Sequence, residues 1–154
     1  MEKIKMLLSM NHNGIYFVFL MTEENVRMKD KIIIVDDDPG IQEIIKVIFD
    51  KAGYETTVFS NGNNIFTGQY QLPDIFLLDK ELVGKSGSDI CKFLKSQRKT
   101  KDIPVILFSA ISDLDKVAKE AGADNYIEKP FLKTELLDKV AAALRHDNNL
   151  RASA

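Results

Sequence analysis

From Lys31 onward the chain alternates short apolar runs with stretches whose apolar residues recur at helical spacing. Ile32 to Val35 is an unbroken β-branched run, the pattern of a strand buried on both faces. Asp38 then fits an N-cap and Pro39 a first helical turn, with Ile41, Ile44, Ile45 and Ile48 on a helical repeat that Gly53 stops. Tyr54 to Phe59 reads as a second strand, Asn61-Gly62-Asn63 as a turn, and the stretch to about Tyr70 as a short helix. Ile75 to Asp79 is a third buried strand, and a loop holding Gly84 and Gly87 leads to a helix with Ile90, Phe93 and Leu94 on one side. Pro104 opens a fourth strand, Val105 to Phe108. Asp113 to Ala121 forms a helix closed by Gly122, Tyr126-Ile127 a fifth strand, and Leu136, Leu137, Val140 and Leu144 the apolar face of a last helix. Parallel neighbours need crossover helices, so the pattern predicts an α/β domain: a doubly wound parallel sheet with helices on both faces.

Residues 1–30 do not share this rhythm. The apolar stretch Ile15 to Met21 is separated from Met6-Leu7-Leu8 by Asn11-His12-Asn13-Gly14 and is followed by Glu23-Glu24-Asn25. A secretion signal needs an unbroken apolar core and a small-residue cleavage site, and a membrane span needs roughly 20 apolar residues. Residues 1–30 therefore read as a poorly ordered N-terminal extension, or as sequence upstream of a working start at Met21 or Met28, with a packed extra strand or a dimer contact as the alternative. The domain proper is expected to be 31–145, with 146–154 expected as a flexible polar tail and no output domain attached. His12 and His146 fall in the two flanks.

Composition narrows the function classes. A chain of 154 residues with 45% hydrophobic content suits one core. A formal net charge of -2 gives no broad positive field, so neither nucleic acid nor membrane insertion is expected. The lone Cys91 excludes an internal disulfide and a thiolate zinc site, and its neighbours Ile90, Phe93 and Leu94 make it a packing thiol. A reducing, cytoplasmic setting follows from that.

The candidate chemistry lies at the strand ends. In open parallel sheets ligands bind outside the carboxyl ends of the strands, near the reversal of strand order. Strand one ends on Asp36 and Asp37, strand three on Asp79, strand four on Ser109 and strand five on Lys129. Singly these are ordinary strand-end, turn and surface residues. Together they put three mutually repelling carboxylates in one place, an arrangement that a hard divalent cation relieves. Oxygen-only donors select Mg²⁺, with Mn²⁺ as a substitute, and Asp37 is the favoured direct ligand because Asp36 and Asp37 alternate in direction. Asp79, on the central strand, is then free to act as a nucleophile that takes a phosphoryl group. The Lys129 ammonium and the Ser109 hydroxyl suit the equatorial oxygens of such a group.

These residues resemble those of response regulator receiver domains, the phosphoacceptor half of two-component signalling. The resemblance covers about Lys31 to Arg145 and rests on Asp36-Asp37 after Ile-Ile-Ile-Val, Asp79 after Ile-Phe-Leu-Leu, Ser109-Ala110, and Tyr126 followed by Lys129-Pro130. It implies a flavodoxin-like sheet in the order 2-1-3-4-5. It further implies phosphoryl transfer to Asp79 from a histidine kinase or a histidine phosphotransfer protein, and a metal site of Asp36, Asp37, Asp79 and the main-chain carbonyl of Glu81. A cis peptide before Pro130 is implied, as is a switch in which Ser109 moves toward the phosphate and Tyr126 follows. Ile41, Pro130 and Phe131 would dock partners, with output to a downstream protein from a monomer or a phosphorylation-dependent dimer. The domain would not be an enzyme beyond catalysing its own phosphorylation and dephosphorylation.

Two departures stand out: Val83 occupies a position where the family usually has proline, and Ser109 replaces the commoner threonine. Glu81 and Ile111 hold the positions that flank the phosphate in the family and influence its lifetime. Gly84-Lys85-Ser86 resembles the end of a P-loop, but Asp79 stands where that motif needs its first glycine. The main rival is a haloacid dehalogenase-type phosphohydrolase with Asp36 as nucleophile and Asp38 as acid, a reading that leaves Asp79 without a role.

Overall fold

The computed structural model describes residues 4–10, 16–22 and 29–152. Strands β1 (Ile4–Met10) and β2 (Tyr16–Thr22) pair antiparallel within the region assigned above to an N-terminal extension. The remainder of residues 1–28 lies outside the described residues.

The domain is built from β3 (Lys31–Val35), α1 (Pro39–Lys51), β4 (Glu55–Phe59), α2 (Asn63–Thr67), β5 (Ile75–Asp79), α3 (Gly87–Ser96), β6 (Val105–Ser109), α4 (Leu114–Ala121), β7 (Asn125–Glu128) and α5 (Lys133–Ala152). All neighbours in its five-stranded sheet are parallel, in the order β4-β3-β5-β6-β7. Counted within this sheet alone, the order is 2-1-3-4-5, as the resemblance implies.

Strand alternation divides the core into two layers. Ile33, Val35, Phe76, Leu78, Val105 and Leu107 pack with Ile90, Leu94, Leu114 and Ala118 of α3 and α4. Ile32, Ile34, Ile75, Leu77, Ile106 and Phe108 pack with Ile45 and Phe49 of α1 and Leu136 and Val140 of α5. Each fully buried side chain of this size stabilises the fold by about 1.5–3 kcal/mol relative to an exposed one. The three central strands have both faces covered, so their sequences read as continuous apolar runs. The edge strand β4 is only partly covered: Glu55 and Thr57 are exposed.

Three boundaries differ from the sequence reading. Tyr54 stays outside β4, because its N–H donates to the Phe49 carbonyl in the turn that ends α1. The second helix stops at Thr67 rather than near Tyr70, because Gly68 adopts φ +70° and closes it with a left-handed cap. Helix α5 continues to Ala152, past the Arg145 limit given to the domain. Cys91 is fully buried, its thiol donates to the Ala121 carbonyl at 3.4 Å, and burial pushes its pKa up to about 11. That is the packing role read from its neighbours. Among the described residues no helix is long and apolar enough to cross a membrane.

Candidate functional site

The parity that builds the two layers also sorts the strand-end residues. Asp36, Asp79 and Lys129 continue the phase of Ile34, Leu77 and Ile127 toward α1 and α5. Ser109 continues that of Val105 and Leu107 toward α3 and α4. The register sets Asp79 beside Phe108 and Ser109 beside Glu128, so the ends of β5, β6 and β7 lie at one level.

Asp36, Asp37 and Asp79 each offer a carboxylate oxygen, and these atoms lie within 4.8 Å of one another. Asp36 is wholly buried: its Oδ1 accepts from the Asp38 N–H at 2.8 Å, and its Oδ2 lies 3.3 Å from Lys129 Nζ. Its main-chain carbonyl accepts from the Gln42 amide. Asp37 is half-buried and accepts from the Val83 N–H at 3.1 Å, which fastens the loop after β5 to the end of β3. Asp38 caps α1, its Oδ1 accepting from Gly40 and Ile41.

Asp79 is also buried, and its Oδ1 lies 3.4 Å from Lys129 Nζ yet accepts no hydrogen bond. The contact is an ion pair without hydrogen-bond alignment. Burial raises the Asp79 pKa above its ordinary 3.8 and the Asp36 charge adds to this, while Lys129 and the main-chain N–H of Glu81 oppose it. An acid whose folded pKa is raised contributes stability that is present below its unfolded pKa of about 4 and is lost as pH rises through the folded value. Metal-free protein is therefore expected to lose stability as pH climbs through that window, and Asp79→Asn to flatten the slope and raise the midpoint at neutral pH. Urea midpoints measured in EDTA from pH 4 to 7 check this; an unchanged slope would contradict it.

A buried carboxylate oxygen without a hydrogen bond, beside two further carboxylates that with it make an all-oxygen donor set among the described residues, fits a hard divalent cation. Lys129 spans the remaining gap, with Nζ 4.5 Å from the Phe108 ring centroid in a cation–π contact. The Lys129–Pro130 peptide is cis. Ser109 is fully buried; its hydroxyl donates to Glu81 Oε2 at 3.0 Å and accepts from the Ile111 N–H at 3.3 Å. Tyr126 is half-buried, its carbonyl accepting from Lys139 Nζ at 2.7 Å, with that ammonium 5.2 Å from its ring.

At the rim Pro130 is exposed, whereas Ile41 and Phe131 are half-buried, Phe131 standing edge-on to Phe108 at 6.4 Å. Leu132 (72% exposed), Val83 (84%) and Ile44 (57%) present more apolar surface, and sequence reasoning gave them no docking role. Nor did it find the Glu81 side chain on Ser109 or the Lys139 clasp on Tyr126. Glutamate in a loop and lysine on a helix are ordinary, and only the fold brings each to its partner.

Comparison with known proteins agrees with this geometry. Residues 32–141 match the response regulator receiver domain family. The DNA-binding response regulator MtrA of Mycolicibacterium smegmatis is 34% identical over 125 residues, covering 79% of this chain and 54% of MtrA. The chain thus spans about half the length of the curated relatives it matches. Among solved structures, a putative response regulator from Chloroflexus aurantiacus superposes with a TM-score of 0.71 at 32% identity, over 76% of this chain and 98% of that one. The receiver domain of a signal transduction histidine kinase from Syntrophus aciditrophicus gives 0.70 at 32% identity, over 76% and 91%. Parallel strand order, acidic cluster and sequence match converge on one conclusion: the chain belongs to the response regulator receiver domain family of two-component signalling.

Proposed function

We propose that this receiver domain is a phosphoacceptor switch whose acceptor atom is a carboxylate oxygen of Asp79. The observation that carries this reading is the buried Asp79 Oδ1, which accepts no hydrogen bond while facing Lys129. In the transfer a bond forms between that oxygen and phosphorus as the bond from phosphorus to the donor breaks, either to the nitrogen of a phosphohistidine or to the leaving oxygen of acetyl phosphate. The donor would be a histidine kinase or a histidine phosphotransfer protein. Asp36, Asp37, Asp79 and the Glu81 carbonyl would hold Mg²⁺ or Mn²⁺, which when bound supplies positive charge to the phosphoryl oxygens. Lys129 adds a second fixed cation, and the Ser109 hydroxyl, once freed, is a donor to a further oxygen.

Ile41, Pro130 and Phe131, with Leu132 and Val83 beside them, form the surface offered to a phosphodonor. Output is proposed to pass to a downstream protein in a cytoplasmic setting, without membrane insertion. The DNA-binding description belongs to relatives of whose length the match covers only 54%, and a net charge of -2 supplies no broad positive field toward DNA. Against the dehalogenase-type alternative, both Asp36 oxygens are already engaged and Asp38 is committed to capping α1.

Incubation with acetyl phosphate and Mg²⁺ is expected to yield a hydroxylamine-sensitive phosphate that Asp79→Asn abolishes and Asp36→Asn slows without abolishing. Labelling that survives Asp79→Asn and disappears in Asp36→Asn would replace this reading with the hydrolase one.

A further inference from the structure

The Ser109–Glu81 contact places a carboxylate on the one group that the switch needs free. A serine hydroxyl has a single proton to donate. That proton is directed at Glu81 Oε2, 3.0 Å away, and the Ile111 N–H, 3.3 Å from Ser109 Oγ, fixes the hydroxyl from its acceptor side. Ser109 is completely buried, so water does not compete for it, whereas Glu81 belongs to the exposed loop between β5 and α3. The pair joins the end of β6 to a residue two positions beyond Asp79, across 28 residues of sequence. A hydrogen bond to an ionised acceptor is roughly twice as strong as one between neutral groups.

From this geometry we infer that Glu81 is a positioning residue that latches Ser109 in the resting state, so that a phosphoryl group on Asp79 must win the hydroxyl proton from it. The inference rests on the phosphoacceptor reading above and adds a brake to it. The family resemblance gives the Glu81 position an influence on phosphate lifetime; the latch acts earlier, on the equilibrium between resting and switched forms. Glu81 can also oppose the phosphoryl group by plain charge repulsion, which does not pass through the hydroxyl. The two effects separate in a double-mutant cycle.

The probe is beryllofluoride with Mg²⁺, a non-covalent phosphoryl mimic whose binding is an equilibrium and is independent of phosphate lifetime. Glu81→Ala is expected to tighten its binding about tenfold, the worth of one charge-assisted hydrogen bond. In a Ser109→Ala background the same change is expected to have less than about a threefold effect, since no hydroxyl remains to be released. Melting curves of all four proteins without the probe verify that each is folded. Equal tightening in both backgrounds would leave charge repulsion as the whole cause and overturn the latch, as would no tightening in either. If the unaltered protein neither binds beryllofluoride nor labels from acetyl phosphate, the phosphoacceptor reading falls and the latch with it.

Discussion

Lys129→Met is expected to lower the unfolding free energy of the metal-free protein by about 3 kcal/mol, the lower end of the range for breaking a buried ion pair. The lysine is the cation within reach of two buried carboxylates, at 3.3 Å from Asp36 and 3.4 Å from Asp79. Its own side chain is 22% exposed, which is why the lower end applies. Methionine keeps an apolar stem of similar shape and removes the ammonium, so the loss reports the charge together with the hydrogen bond to Asp36 and the cation–π contact on Phe108 that the ammonium makes. With the cation gone, Asp36 and Asp79 repel without compensation and the already raised Asp79 pKa climbs further. The penalty is therefore expected to be smaller at pH 5 than at pH 8, because protonating Asp79 removes the repulsion. Magnesium should raise the midpoint of the variant more than that of the parent, since it supplies the charge that the variant lacks. Labelling from acetyl phosphate should fall by about 10²-fold, the usual cost of losing one fixed donor at a site of developing charge. Urea titrations in EDTA and in Mg²⁺ decide the matter: a loss under about 1 kcal/mol in EDTA would mean that the carboxylates are held by something other than Lys129.

How much of this was legible in the sequence follows from where side chains are constrained locally. β3, β5 and β6 stand out as Ile-Ile-Ile-Val, Ile-Phe-Leu-Leu and Val-Ile-Leu-Phe because both faces of each are covered by helices. The edge strand β4 and the short α2 were the weakest readings, since neither is enclosed and their limits depend on single events such as the Gly68 cap. Asp36, Asp37, Asp79, Ser109 and Lys129 could be found because a parallel sheet sends every strand's carboxyl end to one edge. Their partition could not. That Lys129 meets Asp36 and Asp79 while Ser109 turns to Glu81 depends on strand parity and on a loop fastened to Asp37 through Val83. The position of Glu81 is marked by the family resemblance, but its contact with Ser109 left no signal, because the two are 28 residues apart and glutamate is common in loops.

Gly87, which in sequence closes the loop from Lys80 to Ser86, holds α3 close against the residue that carries the Asp79 carboxylate. A Cβ built there would lie 2.1 Å from the Asp79 carbonyl oxygen and 2.8 Å from its carbon, distances that no real Cβ tolerates. Both atoms are backbone at the end of the central strand, so neither can rotate away. The other side is equally fixed. Gly87 begins α3 directly after the Ser86 capping box with Asp89, and its N–H donates to the Lys80 carbonyl at 3.1 Å. Gly87→Ala must therefore push α3 and the end of β5 apart, and is expected to cost about 2–3 kcal/mol, the upper part of the overpacking range. The gain in helix propensity offsets at most about 1 kcal/mol of strain. Displacing Asp79 relative to Lys129 and the other carboxylates should cut labelling from acetyl phosphate by about 10²-fold, the scale of a one-ångström misplacement. Gly62→Ala is the control, because its Cβ would meet Ile90 Cδ1 at 2.7 Å, the free end of a side chain in the same core. These contacts, with Phe66 Cε2 a further one at 3.0 Å, are to side chains rather than to the strand backbone, so Gly62→Ala should lose stability by about 1 kcal/mol and label as the parent does. If Gly87→Ala also labels at the parent's rate, the end of β5 yields without moving its carboxylate, and the close approach of α3 does not position Asp79.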